Sequence, residues 1–303
     1  MRKLLLAAFA VVLMAGMAAQ AGQIRVSVVL KALDSEFWRS VESGALAAAK
    51  ENPDIVLSIL APAREINVQE QVQIVEDIIA KGTDVLVLAP CGGQELAPSM
   101  DLSLNSGVPV VLIDTPSPWG KEATFVGTNN VSGGKLAGEF IARKLNGQGE
   151  VAFITGVMGH QTHIDRLAGA EQELKKHPGI KIVATQPADS ERSKGMTVAE
   201  NILTTYPNVK AIFCTNDEMA LGALEAATAE GAKVVIVGFD ANGEAVRSVK
   251  SGGLGGTVAQ SSFNIGKYGV ESAVKVFKGG KLPPHVDTGT TLVSSENADQ
   301  FLN

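Results

Sequence analysis

Two hydrophobic rhythms alternate along this chain. Short unbroken apolar runs, rich in Val and Ile, occupy 26–30, 56–60, 85–89, 108–113, 151–155, 180–184, 211–214 and 234–239. Between them, apolar residues recur at i, i+3 and i+4 over 37–50, 68–81, 135–145, 166–176, 196–205, 218–229 and 265–277. A β-branched run without alternation is the pattern of a parallel strand covered on both faces, and the second rhythm is that of an amphipathic helix. Strand–helix alternation predicts right-handed βαβ units and a doubly wound sheet. The runs are too many for one sheet, and their order repeats. "KGTDVLVLAP" followed by "GVPVVLID" in the first half parallels "YPNVKAIFCTND" followed by "GAKVVIVGFD" in the second. The fold class expected is therefore α/β, with two similar doubly wound parallel-sheet lobes.

Length and charge fit that picture. A chain of 303 residues, 45% hydrophobic, is long enough for two domains. Its formal charge of −6 argues against a nucleic-acid surface. The N-terminus is a separate element. Arg2 and Lys3 precede an apolar run over 4–17, and Ala19-Gln20-Ala21 follows. A basic start, a short apolar stretch and an A-x-A site predict a cleaved signal peptide over 1–21 and export to the periplasm. Loss of Arg2 and Lys3 takes the formal charge from −6 to −8. Cys91 and Cys214 lie far apart at strand ends and read as small buried hydrophobes, not a disulfide framework.

Open α/β sheets bind ligands beyond the carboxyl ends of their strands. Those ends deliver a polar set: Lys31 after the first strand, Asp114 after the strand ending at 113, Asn216 near Cys214, Asp240 after 239, and Gln260 at the end of "GTVAQ". Neither a Ser or Cys nucleophile nor a His base stands beside Asn216 and Asp217. Each candidate also has a plainer reading. Asn216 and Asp240 suit N-caps of the helices that follow. Arg166, near an expected helix start, suits a surface salt bridge, and Lys31 a solvated cation. Phe37 and Trp38 suit a helix core. Adjacent helical residues point about 100° apart, which favours only one of them facing a ligand.

Other motifs are weak. His160, His163 and Asp165 spell H-x-x-H-x-D on one loop, read here as a polar rim of the cleft and not as a metal site. "GTNNVSGGK" fails the P-loop spacing, and Ser132 with Lys135 lacks the companion motifs of an S-x-x-K hydrolase. No EF-hand-like loop is present. No cofactor is expected.

The stretches "VVLKALDSEFW", "VVLIDT", "TNNVSGGKLAGEFIARKL", "DRLAGAEQEL", "ATQPADSERSKG", "TNDEMALGAL", "VVIVGFD" and "TVAQSSFNIG" span the chain beyond 21. In that order they resemble the periplasmic monosaccharide-binding proteins of ABC transporters, the ribose- and allose-type branch of the type I periplasmic-binding fold. The resemblance implies a three-strand hinge crossing near Thr128, Gln260 and Thr288. It implies an N-terminal lobe of 22–128 plus 261–288 and a C-terminal lobe of 129–260 plus 289–303. It assigns sugar hydrogen bonding to Asp114, Arg166, Asn216, Asp240 and Gln260, an aromatic wall to Phe37 and Trp38, and a ligand contact to Lys31. Three positions depart from the pattern. Ser35 stands where Asn is usual, Ser190 where a stacking aromatic is usual, and Thr115 where ribose-type members have Arg. These changes argue against ribose itself and leave room for a ketose, a polyol or cyclitol, or a furanosyl signal molecule.

The function expected is capture of a monosaccharide between the lobes and delivery to the permease subunits of an ABC importer, by a monomer, with a chemoreceptor as a further candidate partner. Two other classes stand beside it. A sugar-sensing transcriptional regulator would need a helix-turn-helix where the signal-like segment lies. A periplasmic enzyme would use Asp114 and Asp240 as an acid/base pair.

Overall fold

The computed structural model describes residues 22–302, so the expected signal peptide lies outside the described residues. Two six-stranded sheets form the frame. The first runs, in spatial order, β11 (His285–Asp287), β5 (Thr124–Gly127), β4 (Val110–Ile113), β3 (Val85–Leu88), β1 (Ile24–Val29) and β2 (Ile55–Leu60). The second runs β12 (Thr290–Val293), β10 (Gly256–Gln260), β9 (Val235–Asp240), β8 (Val209–Cys214), β6 (Gln148–Thr155) and β7 (Gly179–Pro187). Every pairing is parallel except β12 against β10. The two-lobed α/β reading of the hydrophobic rhythm is what the chain adopts.

Helices cover both faces of each sheet. In the first lobe they are α1 (Glu36–Glu51), α2 (Val68–Lys81) and α3 (Ala97–Asn105). In the second they are α4 (Asn130–Lys144), α5 (Gln161–Leu174), α6 (Arg192–Thr205), α7 (Asp217–Ala229) and α8 (Gly243–Ser251). Helix α9 (Ser262–Phe277) follows β10 yet packs on α1 and the first sheet. Each sheet therefore has an apolar cluster on either side, such as Val26, Val28, Val41 and Ile265 on one face of the first and Val29, Leu86, Leu88 and Met100 on the other.

The chain crosses between the sheets three times: after β5 at Thr128, after β10 at Gln260, and between β11 and β12 at Thr288. The crossings touch. Thr128 Oγ1 donates to Gln260 Oε1 at 2.9 Å and shares a 3.4 Å hydrogen bond with Thr288 Oγ1.

Several sequence expectations need correction. β2 and β7 are sheet edges, and they alternate between exposed and partly buried positions instead of being covered on both faces. β5, β11 and β12 mix Thr, Gly, His or Asp with few apolar residues and so do not stand out as apolar runs, and α3 and α8 have only nine residues each. Helices α4 and α5 begin five residues before the expected 135 and 166, because their first turns are polar or Gly-rich and carry no apolar rhythm. Arg166 thus sits in the second turn of α5, beyond the reach of the N-terminal dipole.

Candidate functional site

Strands that stop at the carboxyl edge of each sheet present their last side chains to the space between the lobes. Two of them do so through left-handed backbone: Asp114 has φ 59° and Asp240 φ 120°. For a non-glycine residue such a conformation costs of order 1–3 kcal/mol and persists only where the surroundings hold it. What holds Asp114 is Thr115 Oγ1, which donates to its Oδ2 at 2.7 Å, and Lys31 Nζ, 3.3 Å from the same oxygen. Lys31 and Asp114 are both buried, so the lysine is an internal counter-ion and not a solvated cation.

Asp240 accepts from Gln260 Nε2 at 2.6 Å and lies 3.6 Å from Arg166 Nη1. It caps no helix, since Asn242 occupies the cap position of α8. Arg166 is fixed from three sides. Its Nε donates to Asn130 Oδ1 at 2.9 Å, its Nη1 to the Thr215 carbonyl at 2.7 Å, and its guanidinium lies 3.8 Å from the Phe239 ring centroid. The surface-salt-bridge reading of this arginine fails, because it is buried. Its backbone is set by close helix packing. A Cβ on Gly134 would strike the Arg166 carbonyl oxygen, and one on Gly169 the Val131 carbonyl oxygen, so α4 and α5 meet backbone to backbone.

Asn216 does cap a helix. Its Oδ1 accepts from Met219 N at 2.9 Å, while its Nδ2 donates to the Ser190 carbonyl at 3.2 Å. Ser190 also has a positive φ, 65°, which turns the loop after β7 back toward α5. Its hydroxyl lies 3.2 Å from Glu65 Oε2 and 3.2 Å from His163 Nε2. Phe37 and Trp38 meet edge to face at 4.9 Å, and both face the cavity described below, against the expectation that only one would. The Trp38 indole donates to Glu65 Oε1 at 2.8 Å, and Lys31 Nζ stands 5.8 Å from its ring. Ser35 is the one candidate away from this wall. It caps α1 by accepting from Trp38 N, and it lines the outer groove with Asp34 and Arg64.

Lys31, Phe37, Trp38, Asp114, Arg166, Ser190, Asn216, Asp240 and Gln260 surround one tight void of about 20 Å³, with Glu65, Thr162 and His163 completing it. More roomy grooves lie elsewhere, including one of about 390 Å³ along β2 and α2. That groove belongs to one lobe, and the outer groove between Asp34, Arg64, Glu191 and Glu218 spans both lobes at the surface. The smaller space is the one where buried strand-end groups of both sheets, Lys31, Asp114, Asp240 and Gln260, converge. The lobes are shut over it. Glu65 reaches Ser190, Arg64 Nη1 lies 2.7 Å from Glu191 Oε2, and Gly243 N donates to Glu36 Oε1 at 2.7 Å.

Charge inside the void is strongly perturbed. Burial pushes the Asp240 carboxyl up to about 7, with repulsion from Asp114 and Glu65 added and Arg166 and Gln260 opposing. Behind it, burial and the Asp240 charge raise Asp217, which is held by Thr257 Oγ1 at 2.6 Å and Asn242 N at 2.8 Å. Burial, then the Arg166 charge, pushes His163 well below the usual imidazole range; burial, then Lys31, lowers His160. Burial alone would raise Glu65, but His160 and Lys31 outweigh it and hold the carboxyl low.

The histidine motif needs a correction. Asp165 turns away and accepts from Gln161 Nε2 at 2.7 Å. The carboxylate beside His160 and His163 is instead Glu65, from the loop between β2 and α2 in the other lobe. Sequence reading missed Glu65 because no strand end or periodic segment marks it.

Comparison with known proteins bears on this architecture. Residues 26–281 match the family described as periplasmic binding protein domain. The ribose import binding protein of Salmonella typhimurium is 34% identical over 284 residues, which cover 93% of this chain and 95% of that protein. The D-allose-binding periplasmic protein of Escherichia coli is 36% identical over 268 residues, 85% of this chain and 86% of that protein. Among solved structures, an ABC transporter solute-binding protein from Bacillus halodurans with bound myo-inositol superimposes with a TM-score of 0.88. It is 28% identical and covers 94% of this chain and 99% of its own.

Proposed function

The chain belongs to the periplasmic binding protein family, and from that premise we propose that it captures a monosaccharide or a cyclitol between its lobes for an ABC importer. It is a binding protein and not an enzyme. The observation that carries the reading is the convergence of strand-end carboxylates, amides and a guanidinium from both sheets on one small void.

A sugar or cyclitol offers a ring of hydroxyls and apolar C–H faces. Asp114 and Asp240 accept from neighbouring hydroxyls, Arg166 donates in a fixed fork, and Asn216 and Gln260 do both. Lys31 supplies a second cationic donor. Phe37 and Trp38 give flat walls for C–H groups. Ser190 contributes a hydroxyl where an aromatic would close the second face, which leaves that side polar. Charge-assisted hydrogen bonds of roughly 1.5–3 kcal/mol each, less ordering costs, sum to about −8 to −10 kcal/mol and a micromolar or tighter Kd.

Binding is coupled to closure because the contacts come from both lobes. Only the shut form offers all of them, so the ligand shifts the hinge at Thr128, Gln260 and Thr288 toward it. The importer's membrane subunits then receive the closed complex. We further infer that 1–21 is a signal peptide removed on export, that the chain acts as a monomer, and that a chemoreceptor reads the same closed surface. Thr115, whose hydroxyl bonds Asp114, stands where ribose-type members have Arg, and that missing guanidinium argues for a ligand other than ribose. Titration calorimetry with aldoses, ketoses and inositols tests the reading. Saturable 1:1 binding of a hexose, pentose or cyclitol is expected, and heat from none of them overturns it.

A further inference from the structure

In the wall of the void, where Glu65 and His163 complete the lining and His160 stands behind them, three side chains stand in the arrangement of a metal centre. Glu65, His160 and His163 each bring one donor atom to within 4.8 Å of the others, and Glu65 Oε2 lies 3.7 Å from His160 Nδ1. Bonds of about 2.0–2.2 Å in a tetrahedral zinc site place donor atoms about 3.3–3.5 Å apart, so side-chain adjustments of about 1 Å would close this set.

A second observation is independent of that spacing. His160 is buried to 3% exposure, and neither of its ring nitrogens has a hydrogen-bond partner among the described residues. A buried polar group in that state is costly, and something must offset it. Its neighbour is already oriented. His163 Nδ1 bonds Thr215 Oγ1 at 2.9 Å, which leaves Nε2 as the atom turned toward Glu65 and Ser190. That is the outer support a ligating imidazole requires. Ser190 Oγ, 3.2 Å from both Glu65 Oε2 and His163 Nε2, shows that one oxygen atom fits between them.

We propose that His160, His163 and Glu65 form a site for one divalent transition-metal ion of the zinc class. Two imidazoles and a carboxylate suit Zn²⁺, with the fourth position left to water or a ligand hydroxyl. The two histidines belong to the second lobe and Glu65 to the first, so the ion would staple the closed form. This goes beyond sugar capture and does not depend on it.

The test uses the mature chain stripped with a chelator and titrated with Zn²⁺ in the absence of sugar. One ion per chain is expected, with a radius of gyration that falls on binding. Co²⁺ should give the visible absorption of a four-coordinate nitrogen–oxygen site. His160→Gln and Glu65→Gln should each weaken Zn²⁺ at least about 100-fold, while Asp165→Asn, at the residue turned away from the set, should bind as wild type does. Circular dichroism confirms that each variant is folded, and His163→Gln serves if one is not. No stoichiometric zinc on the wild-type chain, or equal affinity in His160→Gln and Glu65→Gln, overturns the proposal. Sugar calorimetry run in chelator reports separately on the sugar reading.

Discussion

Gln260 Nε2 donates to Asp240 Oδ1 at 2.6 Å while Gln260 Oε1 accepts from Thr128 Oγ1 at 2.9 Å. One amide therefore ties a cavity carboxylate to the hinge. Gln260→Ala cuts both links and leaves Asp240 facing Arg166 alone. The expected result is a loss of about 10–100-fold in sugar affinity, the cost of one or two hydrogen bonds to charged groups. Calorimetry reads the affinity, and small-angle scattering reads the open–closed balance without sugar. An unchanged Kd would remove Gln260 from the site.

Asp240 makes a prediction about pH. Its folded pKa is raised from 3.8 to about 7, chiefly by burial. A raised value favours the folded state below about 3.8, where the group is protonated in both states, and that contribution is lost as pH rises to about 7. About three units at ~1.4 kcal/mol each give a ceiling of about 4 kcal/mol. Asp240→Asn should therefore raise the Tm of the sugar-free protein at pH 8, with the gain shrinking toward pH 4. Sugar affinity should fall in the same variant. Melting curves that stay parallel to wild type across that range would contradict this placement of Asp240.

The contact between α4 and α5 holds Arg166 in place through two glycines. Gly169→Ala drives a Cβ into the Val131 carbonyl oxygen, and backbone there has no flexible end to yield. Overpacking of this kind costs typically about 1–3 kcal/mol. A urea titration should show the midpoint falling, and sugar binding should weaken as Arg166 shifts. Gly107→Ala meets nothing within 4 Å, but its φ of 78° strains the backbone, so it separates strain from collision. It should lower stability and leave affinity intact.

How much of this was legible in the sequence follows from where each group sits. Asp114, Asp240 and Gln260 end apolar runs, so the strand rhythm pointed to them directly. Asn216 was legible as both a cap and a site residue because a strand end and a helix start share it. Glu65 was invisible, since the loop between β2 and α2 is anchored by tertiary contacts to Trp38 and Ser190 that no local pattern encodes. The edge strands β2 and β7 misled for a related reason. Their burial is set by the absence of a neighbour, not by composition. Asp165 was grouped with the histidines by spacing on one loop, whereas the lobe opposite supplies the acid.

Lys31 and Asp114 give the sharpest test of how charge is held in the cavity. They lie 3.3 Å apart at 2% and 4% side-chain exposure. Lys31→Met keeps the volume and removes the cation, so a carboxylate is left buried with only Thr115 to bond it. Breaking one partner of a buried pair costs about 3–5 kcal/mol, whereas replacing both is often neutral. Lys31→Met should accordingly be strongly destabilised, and adding Asp114→Asn should recover most of the loss. Sugar affinity should not recover, because the ligand loses two of its charged partners in the double variant. A double-mutant cycle read by urea denaturation and by calorimetry separates the outcomes. Additive stability losses would mean that the two groups are solvated independently, and full binding in the double variant would take both out of the sugar site.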